Sequence, residues 1–142
     1  MRALLALLAL VLLPALAHAQ ETASLTVKVE HVSNQGGQLR IGVYDQATFR
    51  VRGSKPVAGQ ILRAEAGEMT VTFDGLTPGE YGVKAYQDEN RNGQLDTVMG
   101  VMPTEPYALS NDAMPTMSGP PWDDAKFTLR PGATTIVITL HK

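Results

Sequence analysis

Ser24-Leu25-Thr26-Val27-Lys28-Val29-Glu30 decides the fold class. Apolar side chains at every second position, with polar ones between, describe an extended chain that gives one face to a core and the other to water. The same period recurs downstream. After the turn cluster Ser33-Asn34-Gln35-Gly36-Gly37, Leu39, Ile41 and Val43 alternate with Arg40, Gly42 and Tyr44. Leu62 and Ala64, then Met69, Val71 and Phe73, flank Ala66-Gly67 and read as a hairpin. Thr77-Pro78-Gly79 turns the chain into Tyr81, Val83 and Ala85, and Pro131-Gly132 separates Phe127 and Leu129 from Ile136, Ile138 and Leu140. One helical turn is expected near Phe49; no other segment carries a helical period. Seven short strands at regular spacing predict an all-β fold, an antiparallel β-sandwich.

The 142-residue chain holds one such domain, preceded by a segment of different character. Residues 1–19 read as an export signal: Met1-Arg2 gives a positive start, Leu4 to Leu13 is unbroken Ala, Leu and Val, and Ala17-His18-Ala19 supplies small residues before a cleavage point at Gln20. That apolar run is too short to span a bilayer, and no later one is longer. The expected mature domain is residues 20–142, located in the periplasm or outside the cell. Without Arg2 it has 11 basic against 14 acidic side chains, which argues against nucleic acid or an anionic membrane as main partner. The chain has no cysteine, so a disulfide framework, a thiolate metal site, a cysteine nucleophile and an N-terminal lipid-bearing cysteine are excluded.

Residues 88–124 interrupt the strands. They hold seven acidic groups and one base, Arg91, together with five of the nine prolines and four of the six methionines. So long a connection inside a small domain is either functional or disordered. Leu95, Val98, Val101, Leu109 and Trp122 give it material to pack, so we expect an ordered loop draped over one end or edge of the sandwich.

One constellation in it carries chemistry. Asp88-Glu89-Asn90-Arg91-Asn92-Gly93-Gln94-Leu95-Asp96 places oxygen-bearing side chains at positions one, three, five and nine, with glycine at six. Calcium takes six to eight oxygens from carboxylates, amides, backbone carbonyls and water, and alternate residues of a tight loop can point inward together. Asp88, Asn90, Asn92 and Asp96 would supply side-chain oxygens and Gln94 its carbonyl, as in the first nine positions of an EF-hand-type loop. At position twelve that pattern asks for glutamate, and this chain has Met99, whose thioether cannot serve calcium. Glu105 is the candidate completion. So few charges place the affinity on the order of 10⁻⁴ to 10⁻³ M. The competing account is a strand-ending turn at Asn92-Gly93 held by Asx hydrogen bonds.

Other signals are weaker. Met99 and Met102, with Met114 and Met117, are spaced like soft ligands for cuprous copper, or they fill gaps in a loop poor in aliphatic residues. Tyr86, Tyr107 and Trp122 could form an aromatic platform for a sugar or peptide, or Trp122 packs the loop down onto its sheet. Glu105 with Asp123 or Asp124 is the one carboxylate pair that glycoside hydrolysis could use. The chain has no nucleophile elbow, phosphate loop or histidine-metal spacing, and we expect no enzymatic activity.

Over nearly all of residues 20–142 the chain resembles the bacterial exported family known as domain of unknown function 2141. The matching pieces are Pro78-Gly79-Glu80-Tyr81-Gly82-Val83, the Asp88–Asp96 loop, Pro103-Thr104-Glu105-Pro106-Tyr107 with Ser110-Asn111, and Gly119-Pro120-Pro121 followed by Asp124-Ala125-Lys126-Phe127. The resemblance implies export and a small sandwich of immunoglobulin-like or transthyretin-like kind, with no assigned activity and no catalytic residues. The ion ligands are our inference from the residues. The combined expectation is an exported, non-enzymatic module whose calcium-ordered loop presents a surface, centred on Tyr107 and Trp122, to a protein or glycan. Its alternative is an ion-free structural or interaction domain.

Overall fold

The computed structural model describes residues 19–142. The expected export signal, residues 1–19, lies outside the described residues apart from Ala19. No described helix is long and apolar enough to cross a membrane.

The chain runs β1 (Ala23–Val32), β2 (Gln38–Tyr44), α1 (Gln46–Phe49), β3 (Ala58–Arg63), β4 (Gly67–Leu76) and β5 (Gly79–Asp88). It continues through β6 (Thr97–Val98), β7 (Met102–Pro103), β8 (Tyr107–Leu109), a 3-10 turn (Ser110–Asp112), α2 (Trp122–Ala125), β9 (Phe127–Leu129) and β10 (Gly132–Thr139). β10, β1 and β4 form one sheet; β3, β2, β5 and β8 form the other, with β9 pairing the start of β5. The inward phases of both sheets meet in one core. Leu25, Val27 and Val29 of β1 and Val71 and Phe73 of β4 pack with Leu39, Ile41 and Val43 of β2, Val83 and Ala85 of β5 and Ile138 of β10. All seven expected strands are present, and the fold is the all-β sandwich that the alternation implies.

Two pairings differ from the sequence reading. β3 and β4 do not form a hairpin. Instead β4 pairs β1, with Val71 opposite Val27, and β3 pairs β2, with Ile61 opposite Arg40. Gly67, at φ 104°, carries the chain from one sheet to the other, and the Gln60 amide ties the two edges by donating to the Thr72 carbonyl at 2.7 Å. The second difference is that β10 runs parallel to β1, with Val27 opposite Ile136. β10 arrives from β9 in the opposite sheet, so no hairpin fixes its direction.

The outward face of β5 is not a solvent face. Gly82, Lys84, Tyr86 and Asp88 point away from the core in alternation with Tyr81, Val83, Ala85 and Gln87, and a second layer covers them. At the Gly82 end, α1 and α2 build a small cluster of Phe49, Leu109, Trp122 and Ala125. Asp45 caps α1, its carboxylate accepting from the Thr48 amide at 2.9 Å. The Phe49 ring then lies so close that a Cβ on Gly82 would sit 2.5 Å from its Cε2. At the Asp88 end the covering is the carboxylate-amide loop.

Candidate cation loop

Asp88 is the last residue of β5 and is fully buried. One oxygen, Oδ1, accepts from the Asn92 amide at 3.0 Å. The other, Oδ2, accepts from the Gly93 amide at 2.8 Å and from Arg40 Nε at 3.1 Å. A buried carboxylate without partners would cost several kcal/mol; here two backbone donors and a guanidinium meet it. Arg40 stands on β2 opposite Tyr86, on the same outward face, and its Nη2 donates to Gln38 Oε1 at 3.2 Å. The loop is therefore wound around Asp88, with Arg91 and Gly93 in the left-handed region at φ 60° and 81°.

The remaining side chains close the turn from the solvent side. Asn90 Oδ1 accepts from the Asn92 amide at 3.1 Å, and Asn92 Oδ1 accepts from the Gln94 amide at 2.9 Å. These are successive Asx turns. Both carboxamides also donate to Asp96: Asn90 Nδ2 to Oδ2, and Asn92 Nδ2 to Oδ1 at 2.7 Å. Tyr86 fixes the middle of the loop by donating its hydroxyl to the Gly93 carbonyl at 3.1 Å. Burial raises the Tyr86 phenol above its usual range, Arg40 opposes that, and the negative charges of Asp88 and Glu105 add to it.

Of the expected ligands, then, Asp88, Asn90, Asn92 and Asp96 come together around one turn. Gln94, expected to give its carbonyl, follows in the same turn with its side chain exposed and its amide donating to Asn92 Oδ1. Glu105 stands beneath the loop with both oxygens committed to backbone, Oε1 to the Glu89 amide at 2.8 Å and Oε2 to the Asp96 amide at 3.0 Å. Among the described residues, no three His, Cys, Asp or Glu side chains gather as a metal-ligand group. The convergence is of two carboxamides on one carboxylate, with a second carboxylate as its floor.

Two residues that sequence reasoning missed hold this end. Arg40 is one. The other is Gln87, fully buried at an inward position of β5. Its amide nitrogen donates to the Ser33 and Gly36 carbonyls at 3.1 and 2.7 Å, and its oxygen accepts from the Ser33 amide at 2.8 Å. The signal was a glutamine in the apolar phase of Tyr81, Val83 and Ala85. Gly37 belongs to the same junction, since a Cβ there would fall 2.1 Å from the Asp88 carbonyl oxygen.

The aromatic platform is corrected. Trp122 is only 4% exposed and packs edge-on against Phe49 with ring centroids 5.4 Å apart. Tyr107 is half-buried beside Tyr86 in the β5–β8 pairing, and its backbone exchanges two 2.9 Å hydrogen bonds with His141. The carboxylate pair imagined for hydrolysis does not form: Glu105 is buried under the loop, while Asp123 and Asp124 are exposed on α2. Met99, Met102, Met114 and Met117 are all exposed, so they fill no gap in the loop's interior.

The chain belongs to a family of uncharacterized proteins conserved in bacteria, DUF2141, whose model matches residues 27–137, from β1 through the Asp88–Asp96 loop to β10. No curated protein and no solved structure matches it.

Proposed function

We propose that this member of the family is an exported, non-enzymatic β-sandwich module in which the Asp88–Asp96 loop takes a structural calcium ion. The observation that carries the reading is the meeting of Asn90 and Asn92 on Asp96, above Asp88. Residues one, three, five and nine of the loop thereby surround one turn. Asp96, Asn90, Asn92 and Asp88 would hold the ion with a backbone carbonyl and water, the two carboxamides turning to present oxygen in place of the nitrogen that donates to Asp96, and the ion would supply charge neutralisation and no chemistry. Loop order would then follow calcium concentration. The loop's neighbour, an open groove of 370 Å³ with Gln38, Ile61, Arg63 and Arg91 in its walls, is the surface that a fixed loop would keep in shape for a protein or glycan.

A second reading has its own support. Arg40 already places a cationic group on Asp88, and every loop carboxylate has a donor, so the turn is closed without an ion. The two readings separate in one measurement. Under the first, millimolar calcium raises the melting temperature over that in chelator, and Asp96→Ala abolishes the rise. Coincident melting curves in calcium and chelator would leave the ion-free module standing.

A further inference from the structure

Two apolar loops and a row of cations share one edge of the molecule. The β6–β7 ribbon turns through Met99 and Gly100, both left-handed at φ 55° and 74°, and lifts its tip out of the fold. Met99 is 89% exposed, and Val98, Val101 and Met102 are each more than half exposed. The second loop, 113–120, exposes Met114 and, at 94%, Met117. Between them runs Arg50-Val51-Arg52, which follows α1. Arg52 Nη2 donates to the Gly100 carbonyl and Arg50 Nε to the Pro120 carbonyl, each at 3.3 Å. Val51 is itself more than half exposed, and Lys55 follows.

The segments that form these tips carry charge of one sign. Residues 46–57, 97–104 and 113–122 contain Arg50, Arg52 and Lys55 and no acidic group. The acids that flank these segments in the chain are engaged elsewhere: Asp45 caps α1, Asp96 is bonded to Asn90 and Asn92, Glu105 is buried on the Glu89 and Asp96 amides, Asp112 accepts from the Thr139 amide at 2.9 Å, and Asp123 stands 3.7 Å from Lys126. The overall negative balance of the chain therefore does not describe this edge. Exposed apolar patches rimmed by polar groups mark interaction surfaces. A folded protein partner would need hollows matched to several separate convex knobs. A lipid surface adapts to any of them, and phosphate headgroups complement the cations.

We propose that this edge docks on an anionic phospholipid bilayer, the Met99 and Met117 tips entering the headgroup region and Arg50, Arg52 and Lys55 lying against phosphates. The cationic part of this edge lies away from the Asp88–Asp96 loop: α1 follows the Tyr44 end of β2, which pairs with Gly82 of β5, whereas the loop follows Asp88 at the other end. The β6–β7 ribbon leaves that loop directly, the Thr104 amide donating to the Asp96 carbonyl at 2.8 Å.

The test is flotation of the protein, purified as the cell delivers it and with its N-terminus read by mass spectrometry. The vesicles are pure phosphatidylcholine, or phosphatidylcholine with about one-third phosphatidylglycerol, all in chelator so that a loop-bound ion plays no part. Binding at least about tenfold stronger to the anionic vesicles is expected, falling as salt is raised. Met99→Asp with Met117→Asp should reduce it at least about tenfold; aspartate tolerates the left-handed backbone at residue 99. Arg50→Ser with Arg52→Ser should cost about fivefold per cation. Parent and variants share one N-terminus, so their difference reports this edge. Equal binding to both vesicle types, no binding, or variants that bind like the parent overturn the proposal. So does self-association that the methionine changes abolish, since the occupant would then be a second copy.

Discussion

Replacing Glu105 by glutamine tests how the loop is held. The side chain is 4% exposed and spans two amides, Glu89 N and Asp96 N, at the two ends of the loop. Glutamine keeps the shape but turns one acceptor into a donor facing a donor. The loss is one charge-assisted hydrogen bond plus a buried amide left unmatched, together about 2–3 kcal/mol. In a domain of this size that lowers the melting temperature by roughly 6–15 °C. Urea unfolding in chelator gives the free energy, and hydrogen exchange at the Asp96 amide gives the local effect. Asp96→Asn is the control, because its partners are exposed carboxamides and its cost should stay below about 1 kcal/mol. A Glu105→Gln variant within about 0.5 kcal/mol of the parent, with Asp96 protection unchanged, would refute the clamp. So would an Asp96→Asn variant that is the worse of the two.

Trp122→Ala should cost about 3–5 kcal/mol in urea unfolding, because it empties the space between Phe49, Leu109 and Ala125; a loss under about 1 kcal/mol would mean that the second cluster is not a core. Lys84 gives a pH signature. Burial pushes its ammonium down from 10.5 to about 8, while the Tyr44 ring 3.9 Å from its Nζ and the Phe49 carbonyl at 2.9 Å favour the charged form and moderate the shift. The folded chain thus releases this proton before the unfolded chain does, so stability rises with pH from about 8 to about 10. Above that the trend reverses, because burial raises the Tyr44, Tyr81 and Tyr86 phenols and the unfolded chain loses those protons first. Unfolding free energies at pH 7, 8, 9 and 10 should climb in the parent and stay flatter in Lys84→Met; parallel curves would remove Lys84 as the cause.

The strands were legible because alternation is a local property: whether Val27 or Val71 points inward depends on its neighbours two residues away. Pairing is not local. Ala66-Gly67 is compatible with a hairpin and with a crossing between sheets, and the choice was made by β1, which offers β4 a long apolar partner. The parallel β1–β10 pair was hidden for the same reason, since direction is set by the path of β9 and not by any residue of β10. In the loop, spacing told which side chains would share a turn: Asp88, Asn90, Asn92 and Asp96 are joined there by hydrogen bonds. It could not tell what would neutralise Asp88, because Arg40 comes from another strand. Nor could it tell that Glu105 would face amides and not a cation.

What made the loop an ordered structure can be read at the end of β5. A strand alternates faces, so two consecutive buried residues require cover on both sides. Gln87 and Asp88 are both fully buried and both polar. Gln87 faces inward and spends its amide on the Ser33–Gly36 turn; Asp88 faces outward and spends its carboxylate on Arg40 and the loop. Burial of either group alone would be unfavourable. Each is offset only if its partner segment takes one conformation, so the β1–β2 turn and the Asp88–Asp96 loop are fixed from opposite sides of the same strand end. These two segments touch at Gly37, which has no room for a side chain against the Asp88 carbonyl, and at Ser33, whose hydroxyl donates to Glu89 Oε1 at 3.1 Å. A cation, if bound, would therefore tighten a turn already anchored from below, and its effect on stability should be smaller than that of removing the Glu105 carboxylate.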